Sequence, residues 1–282
     1  MTSVREPEKH SFERVTLRHR GRNRTFNVIT PKDLPENPGV LFYFHGSLQT
    51  GNVARNFTGH TFDDMAARAG IVLVYPDGVD RHFNDSRRLL HEKTRDLGID
   101  DVGFTREMIS WLIEQRSIDS TRVFACGYSN GGQMVIRLLH DAPGMLAGAA
   151  TFAATMPTPD NLAPEIGDAD VATPYLAIHG TGDHIVKYEG GEAGLDRAHS
   201  RGLLVSAMDS AEYFANCNGL SQADHTVDDS QEGVTVDTWA QEGKPSVQLW
   251  SIEGMGHVVP AHIGPGTTTI VAADVVAGFF GW

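Results

Sequence analysis

The residues of this chain best suited to covalent chemistry are Gly127-Tyr128-Ser129-Asn130-Gly131, with Gly132 behind them. They fit the pattern G-x-S-x-G and lie between an apolar run, residues 123–126, and a helical pattern, residues 131–140. A serine at the apex of so tight a strand-to-helix turn lifts its hydroxyl above the strand ends, and flanking glycines avoid clashes between Cβ atoms. The N-terminus of the following helix favours negative charge developing beside the hydroxyl. Ser129 is therefore read as a nucleophile rather than as an incidental serine in a glycine-rich turn.

A serine hydroxyl attacks well only when a base removes its proton. Of the 13 histidines, His257 in Glu253-Gly254-Met255-Gly256-His257 follows an apolar run at residues 247–252 and sits among glycines that let its loop bend. His262 lies beyond Pro260, while His10, His19, His60 and His91 precede the serine and fit the expected order Ser, acid, His poorly. The acid must orient the imidazole and stabilise its charged form. Asp183, at the end of His179-Gly180-Thr181-Gly182-Asp183, stands just past the run 175–178. Asp168, Asp170 and Asp196 do not directly follow such a run.

Acyl-transfer chemistry also needs donors for a tetrahedral oxyanion. The amide of Asn130, next to the nucleophile, is the first. His45-Gly46-Ser47, directly after an early apolar run, supplies the second from the N–H of Ser47 or Gly46. Two competing readings of these residues are weaker. His179, Asp183 and His184 lack the third or fourth ligand that a metal site needs, so no metal is expected, nor any cofactor. Cys126 falls inside a buried run, where a cysteine is inert packing.

These groups need a scaffold. Apolar runs at residues 40–44, 71–75, 123–126, 148–152, 175–178 and 247–252 read as strands buried on both faces. Stretches at 62–69, 101–116, 131–140, 203–216 and 269–280 carry helical patterns. Alternating segments at 12–17 and 25–29 predict a β-hairpin through Gly21. Strands alternating with helices imply crossover connections, hence an α/β domain with a mostly parallel sheet covered on both faces. No linker composition interrupts the 282 residues, so one domain is expected over 1–282.

Composition agrees. Apolar residues make up 40%, and 30 glycines bring that share to about half, which excludes disordered, collagenous and coiled-coil chains. Acidic residues outnumber basic ones 36 to 23, a formal charge of −13 that repels phosphate backbones and anionic lipid. Nucleic acid and membrane are thus poor partners, and oligomeric state is not legible. The two cysteines, Cys126 and Cys217, are too few for a disulfide framework, although one bridge between them is open. The charged first ten residues lack the apolar stretch of a secretory signal, so the chain reads as cytoplasmic as written, or as secreted if a leader has been removed.

The sequence resembles the polyhydroxybutyrate depolymerase and feruloyl esterase family of serine esterases, within the α/β-hydrolase superfamily. The resemblance runs from about residue 25 to 282. It rests on Phe44-His45-Gly46, Tyr75-Pro76-Asp77-Gly78-Val79, Asp101-Val102-Gly103-Phe104, the Ser129 turn, His179-Gly180-Thr181-Gly182-Asp183 and Gly254-Met255-Gly256-His257. It implies an α/β-hydrolase fold and ester hydrolysis through an acyl-enzyme, with Ser129, Asp183 and His257 as triad. The substrate it implies is a small or oligomeric ester with a short-chain, hydroxyalkanoate or feruloyl-type acyl group. Relatives often carry tryptophan where Val259 stands, cysteine where Ser47 stands, and Trp-Asn where this chain has Phe83-Asn84. With no polymer-binding module after Trp282, attack on an insoluble polymer is less expected. Loops 76–100 and 185–202 are expected to wall the pocket, with Tyr128, Phe83, Asn84, Ile185, Tyr188 and Val259 in its lining. Two alternatives keep the same residues: an acyltransferase that delivers the acyl group to an alcohol, and a catalytically dead binding module.

Overall fold

A computed structural model describes residues 9–89, 91–163, 165–195 and 199–282. Its frame is a ten-stranded sheet. The first two strands, β1 (His10–His19) and β2 (Arg22–Pro31), form the expected hairpin. Arg20 and Gly21 both take positive φ, 43° and 79°, which gives the two-residue connection the twist that antiparallel strands require.

Six strands then run parallel: β3 (Val40–Phe44), β4 (Val72–Pro76), β5 (Val123–Tyr128), β6 (Gly148–Phe152), β7 (Tyr175–Gly180) and β12 (Val247–Ile252). Their spatial order is β4-β3-β5-β6-β7-β12, with β2 and β1 flanking β4 on the outside. Beyond β12 lie two antiparallel strands, β11 (Val234–Trp239) and β10 (His225–Asp228), that the sequence pattern did not reveal. A small separate pair joins β8 (Gly191–Glu192) to β9 (Leu203–Leu204).

Because side chains alternate across a strand, β3 sends Val40, Phe42 and Phe44 to one face and Leu41 and Tyr43 to the other. The first face is covered by α4 (Asp101–Arg116), α5 (Asn130–Asp141) and α6 (Ala207–Cys217), through residues such as Met108, Ile136 and Phe214. The opposite face is covered by α1 (Gly51–Phe57), α2 (Thr61–Ala69) and α7 (Ala272–Phe280), through Ala54, Phe62 and Val276. One short helix, α3 (Lys93–Asp96), lies in the long β4–α4 connection.

Two helix boundaries differ from expectation. Residues 203–204 pair as β9, and α6 starts only at Ala207, because the Ser206 side chain accepts the Asp209 N–H and caps the helix there. Likewise α7 begins at Ala272 rather than at residue 269. The topology also fixes where a site must form. The chain passes from β3 outward to β4, then returns across β3 to β5, so the strand order reverses between β3 and β5. Open parallel sheets bind ligands in the crevice at the carboxyl ends of strands at such a reversal. The loops there carry His45-Gly46-Ser47 and Ser129.

Candidate active site

Ser129 occupies the elbow between β5 and α5, with φ 53° and ψ −114°, a conformation that side chains with a Cβ adopt rarely. The turn is held because neighbouring positions cannot carry side chains. A Cβ on Gly131 would lie 2.0 Å from the Phe44 carbonyl oxygen, and one on Gly127 would lie 2.3 Å from that of Gly131. The Ser129 N–H donates to the Phe152 carbonyl at 2.9 Å, tying the elbow to β6. Its side chain makes no capping bond to α5, so the hydroxyl is left for another partner.

That partner is His257. Its Nε2 lies 2.9 Å from Ser129 Oγ, and its Nδ1 lies 2.7 Å from Asp183 Oδ2. The three side chains, from loops after β5, β7 and β12, form one continuous hydrogen-bonded relay. A carboxylate only accepts, so Nδ1 carries the ring proton and Nε2 presents a lone pair to the serine hydroxyl. Asp183 is pinned from its other side: Oδ1 accepts the N–H groups of Ile185 and Val186, each at 2.9 Å. Burial alone would raise its pKa, but the nearby His179 ring, the hydrogen bond from His257 and that from the Val186 amide hold the carboxyl well below the usual carboxylate range. The loops after β7 and β12 approach closely at Gly180, where a Cβ would lie 2.0 Å from the Met255 carbonyl oxygen.

The competing assignments find other places. Asp168 and Asp170 are exposed, and Asp196 lies outside the described residues. His60 pairs with Asp63, His19 with Asp100 and Glu107, and His91 and His262 are exposed. His179 donates from Nε2 to the Val186 carbonyl at 2.8 Å, which braces the turn carrying Asp183, while His184 is exposed. Cys126 is fully buried and burial pushes its thiol well up; Cys126 and Cys217 are both free thiols.

The residues expected to supply oxyanion donors lie at the ends of β3 and β5. Asn130 is the first residue of α5, where backbone N–H groups have no helical acceptor. Of the two candidates after β3, the Gly46 N–H is already taken by Gln49 Oε1 at 3.0 Å. The Ser47 N–H makes no hydrogen bond among the described residues. Its direction is set by His45, which is fully buried. His45 Nε2 accepts the Gly78 N–H at 3.0 Å, so the ring proton sits on Nδ1 and is donated to the Gly46 carbonyl at 2.8 Å. In a trans peptide, that turns the Ser47 N–H to the opposite side. Burial lowers the His45 pKa to about 4, so this neutral ring keeps its tautomer through the neutral range. Sequence reasoning placed Gly46 and Ser47 here but did not identify His45 as the group that orients them.

The expected lining divides. Phe83 is fully buried against Phe44 and His45, with ring centroids 5.2 and 4.5 Å away. Asn84 is buried too, its N–H bonded to Asp101 and its side-chain amide to the Ile99 carbonyl, and Val259 belongs to the buried apolar cluster that includes residues of α2 and α7. These three are buried structural residues, which corrects the expectation that they face substrate. Tyr128 lies in the site in another capacity: its hydroxyl donates to the His257 carbonyl at 2.7 Å and holds the histidine loop. Ile185 and Tyr188 remain half-buried on the loop after β7, with the Tyr188 hydroxyl 2.6 Å from Ser251 Oγ. Arg201 was not foreseen. Its guanidinium donates to Ser47 Oγ at 2.6 Å and to Glu92 at 2.9 Å, joining the segment before β9 to the loops after β3 and β4.

Comparison with known proteins finds similarity to esterases. The phospholipase/carboxylesterase family profile matches residues 83–201, a stretch that includes Ser129 and Asp183. A Nocardia uniformis subsp. tsuyamanensis protein whose name places it among esterases, NocK, is 30% identical over 177 residues, covering 60% of this chain and 48% of the relative. The bifunctional acetylxylan esterase/xylanase XynS20E of Neocallimastix patriciarum is 23% identical over 269 residues, covering 89% of this chain and 37% of that protein. The chain thus spans about half or less of the length of these relatives. Among solved structures, the acetyl xylan esterase from Aspergillus awamori superposes with a TM-score of 0.66 at 17% identity, covering 96% of this chain and 99% of that one.

Proposed function

Since the chain has the α/β-hydrolase fold, we propose that it is a serine carboxylic-ester hydrolase that works through an acyl-enzyme, with short-chain acyl esters as substrates. The observation that carries this reading is the Ser129–His257–Asp183 relay, with contacts of 2.9 and 2.7 Å and the tautomer a general base requires. The family match and the esterase relatives support the same reaction class.

In this mechanism His257 Nε2 takes the Ser129 proton as Oγ attacks the ester carbonyl. The carbonyl electron pair moves onto oxygen, where the amides of Asn130 and Ser47 receive it. Collapse of the tetrahedral intermediate expels the alcohol, which takes the proton from His257. Water, activated by the same nitrogen, then releases the acid and restores Ser129. Asp183 stays ionised throughout and stabilises the imidazolium. The helix N-terminus at Asn130 adds a favourable field for the oxyanion.

The test is Ser129→Ala, which should abolish turnover of p-nitrophenyl acetate and butyrate while the circular dichroism spectrum is retained. Activity of that variant within about tenfold of the parent would contradict the assignment. A panel of p-nitrophenyl esters of rising length, with methyl ferulate and soluble hydroxybutyrate oligomers, then defines the acyl group. A steep fall beyond butyrate is the expected result, and preference for ferulate would replace the short-chain reading.

A further inference from the structure

We propose that residues 83–85 form a brace that sets the direction of both oxyanion donors, acting on Asn130 through its side chain and on Ser47 through His45. The inference rests on the esterase reading above and assigns positioning roles to Asn130, Phe83 and Asp85 that the reaction scheme does not use.

The Asn130 side chain is fully buried, and among the described residues every bond it makes goes to this segment. Its Oδ1 accepts the Phe83 N–H at 2.8 Å, and its Nδ2 donates to the Phe83 carbonyl at 3.0 Å and to Asp85 Oδ2 at 2.6 Å. Two acceptors face Nδ2 and one donor faces Oδ1, so the amide has a single satisfied orientation. The first residue of α5 is thereby locked through its side chain. The same Phe83 presses its ring on His45, with centroids 4.5 Å apart, and His45 fixes the Gly46 peptide that carries the Ser47 N–H. One segment therefore touches the supports of both donors.

Its charge is also arranged for this task. Asp85 and Arg87 are both buried, and Arg87 contacts Asp85 through Nε and Nη2. Arg95 Nη2 donates to the carbonyls of Asp85 and Arg87, and Ser86 Oγ donates to Gln133 on α5. Burial favours the neutral acid, but Arg87 and the Asn130 amide keep Asp85 ionised. A buried carboxylate this close to the oxyanion donors would oppose the negative charge of the transition state. Arg87 cancels that field while leaving Asp85 as an acceptor for Asn130.

The experiment compares Asn130→Asp, Asn130→Ser and Phe83→Leu with the parent, well below each variant's Tm. Asn130→Asp keeps the shape but loses both donated bonds and sets a carboxylate against Asp85. Its kcat should fall about 100-fold, the size of a lost oxyanion donor, with KM changed by less than about threefold. Affinity for a trifluoromethyl ketone, which mimics the tetrahedral state, should fall in parallel with kcat/KM, whereas inhibition by the product acid should not change. As pH falls, the two carboxyls share a proton that restores one bond, so the ratio of variant to parent kcat should rise. Asn130→Ser and Phe83→Leu, which introduce no charge, should give smaller kcat losses of the same kind, and they decide the matter if Asn130→Asp does not fold. Variants that lower Tm yet keep kcat within about threefold of the parent overturn the brace while leaving the esterase reading intact. A parent enzyme that neither hydrolyses p-nitrophenyl acetate nor reacts with a fluorophosphonate overturns both.

Discussion

Replacing Asp183 by asparagine should cost far more activity than the loss of one charge suggests, and the reason lies in the two backbone donors behind it. Asp183 Oδ1 accepts N–H groups from Ile185 and Val186, each at 2.9 Å, while Oδ2 faces His257 Nδ1 at 2.7 Å. In Asp183→Asn the remaining oxygen must stay on the two N–H groups, since an NH2 there would oppose two donors. The NH2 then falls opposite His257 and demands a lone pair on Nδ1. The single proton of the neutral imidazole moves to Nε2, which faces Ser129 Oγ and can no longer accept its proton. Imposing the wrong tautomer in such a triad costs about 10⁴-fold in kcat, or about 5 kcal/mol of barrier. The assay is steady-state hydrolysis of p-nitrophenyl acetate near neutral pH, with thermal unfolding followed in parallel. A loss of less than about tenfold in a variant that unfolds like the parent would refute the argument.

Three further outcomes follow from the same geometry. Gly131→Ala places a Cβ 2.0 Å from the Phe44 carbonyl oxygen, a backbone atom that cannot swing aside, so urea unfolding should register a loss of at least about 2 kcal/mol, together with lost turnover. Cys126 should resist a thiol reagent until the chain is unfolded, after which Cys126 and Cys217 should both react without prior reduction; rapid native labelling of Cys126 would contradict its burial. Asp183 and Asp85 are both held below the ordinary carboxylate range, so each adds stability that is complete above the unfolded-chain value of about 3.9 and is lost as pH falls below it towards the folded values. The urea midpoint should therefore drop between about pH 6 and about pH 3, and a flat profile would contradict this.

The parts of the molecule that were legible in the sequence are those where a local pattern has one physical solution. Residues 40–44 and 71–75 are continuous apolar runs that only a doubly covered strand can bury. The glycines around Ser129 mark a turn in which Cβ atoms have no room, and His257 and Asp183 could be located because each follows such a strand within a glycine-broken loop. The strands β10 and β11 escaped because only three of their ten residues are buried, leaving no apolar run to read. Helix α1 buries only Gly51 and Ala54, too small a stripe for a helical period. The Ser206 cap had a readable signal, a serine three residues before Asp209, which a reading by apolar period alone passes over.

Loop side chains were harder for a different reason. An aromatic or an asparagine in a connection can face the cleft or turn inward, and nothing local decides between them. Phe83, Asn84 and Val259 turn inward because partners distant in sequence receive them: His45 and Asn130, Asp101, and the α7 core. The same holds for His45, whose tautomer depends on Gly78, and for Arg201, which reaches Ser47 across 154 residues of chain. Position after a strand is a sequence property; orientation within the site is a tertiary one.

The central claim is that Ser129 becomes covalently acylated, and the most direct measurement is to trap that species. Enzyme mixed with p-nitrophenyl acetate should be quenched in acid within the first turnovers, digested, and its peptides examined by mass spectrometry. The account predicts a single acetyl group on the peptide containing Ser129, on its hydroxyl, formed at the rate of the p-nitrophenol burst and absent from Ser129→Ala. An enzyme that turns over the ester with Ser129 unmodified, or with the acetyl group on another residue at the burst rate, would contradict it.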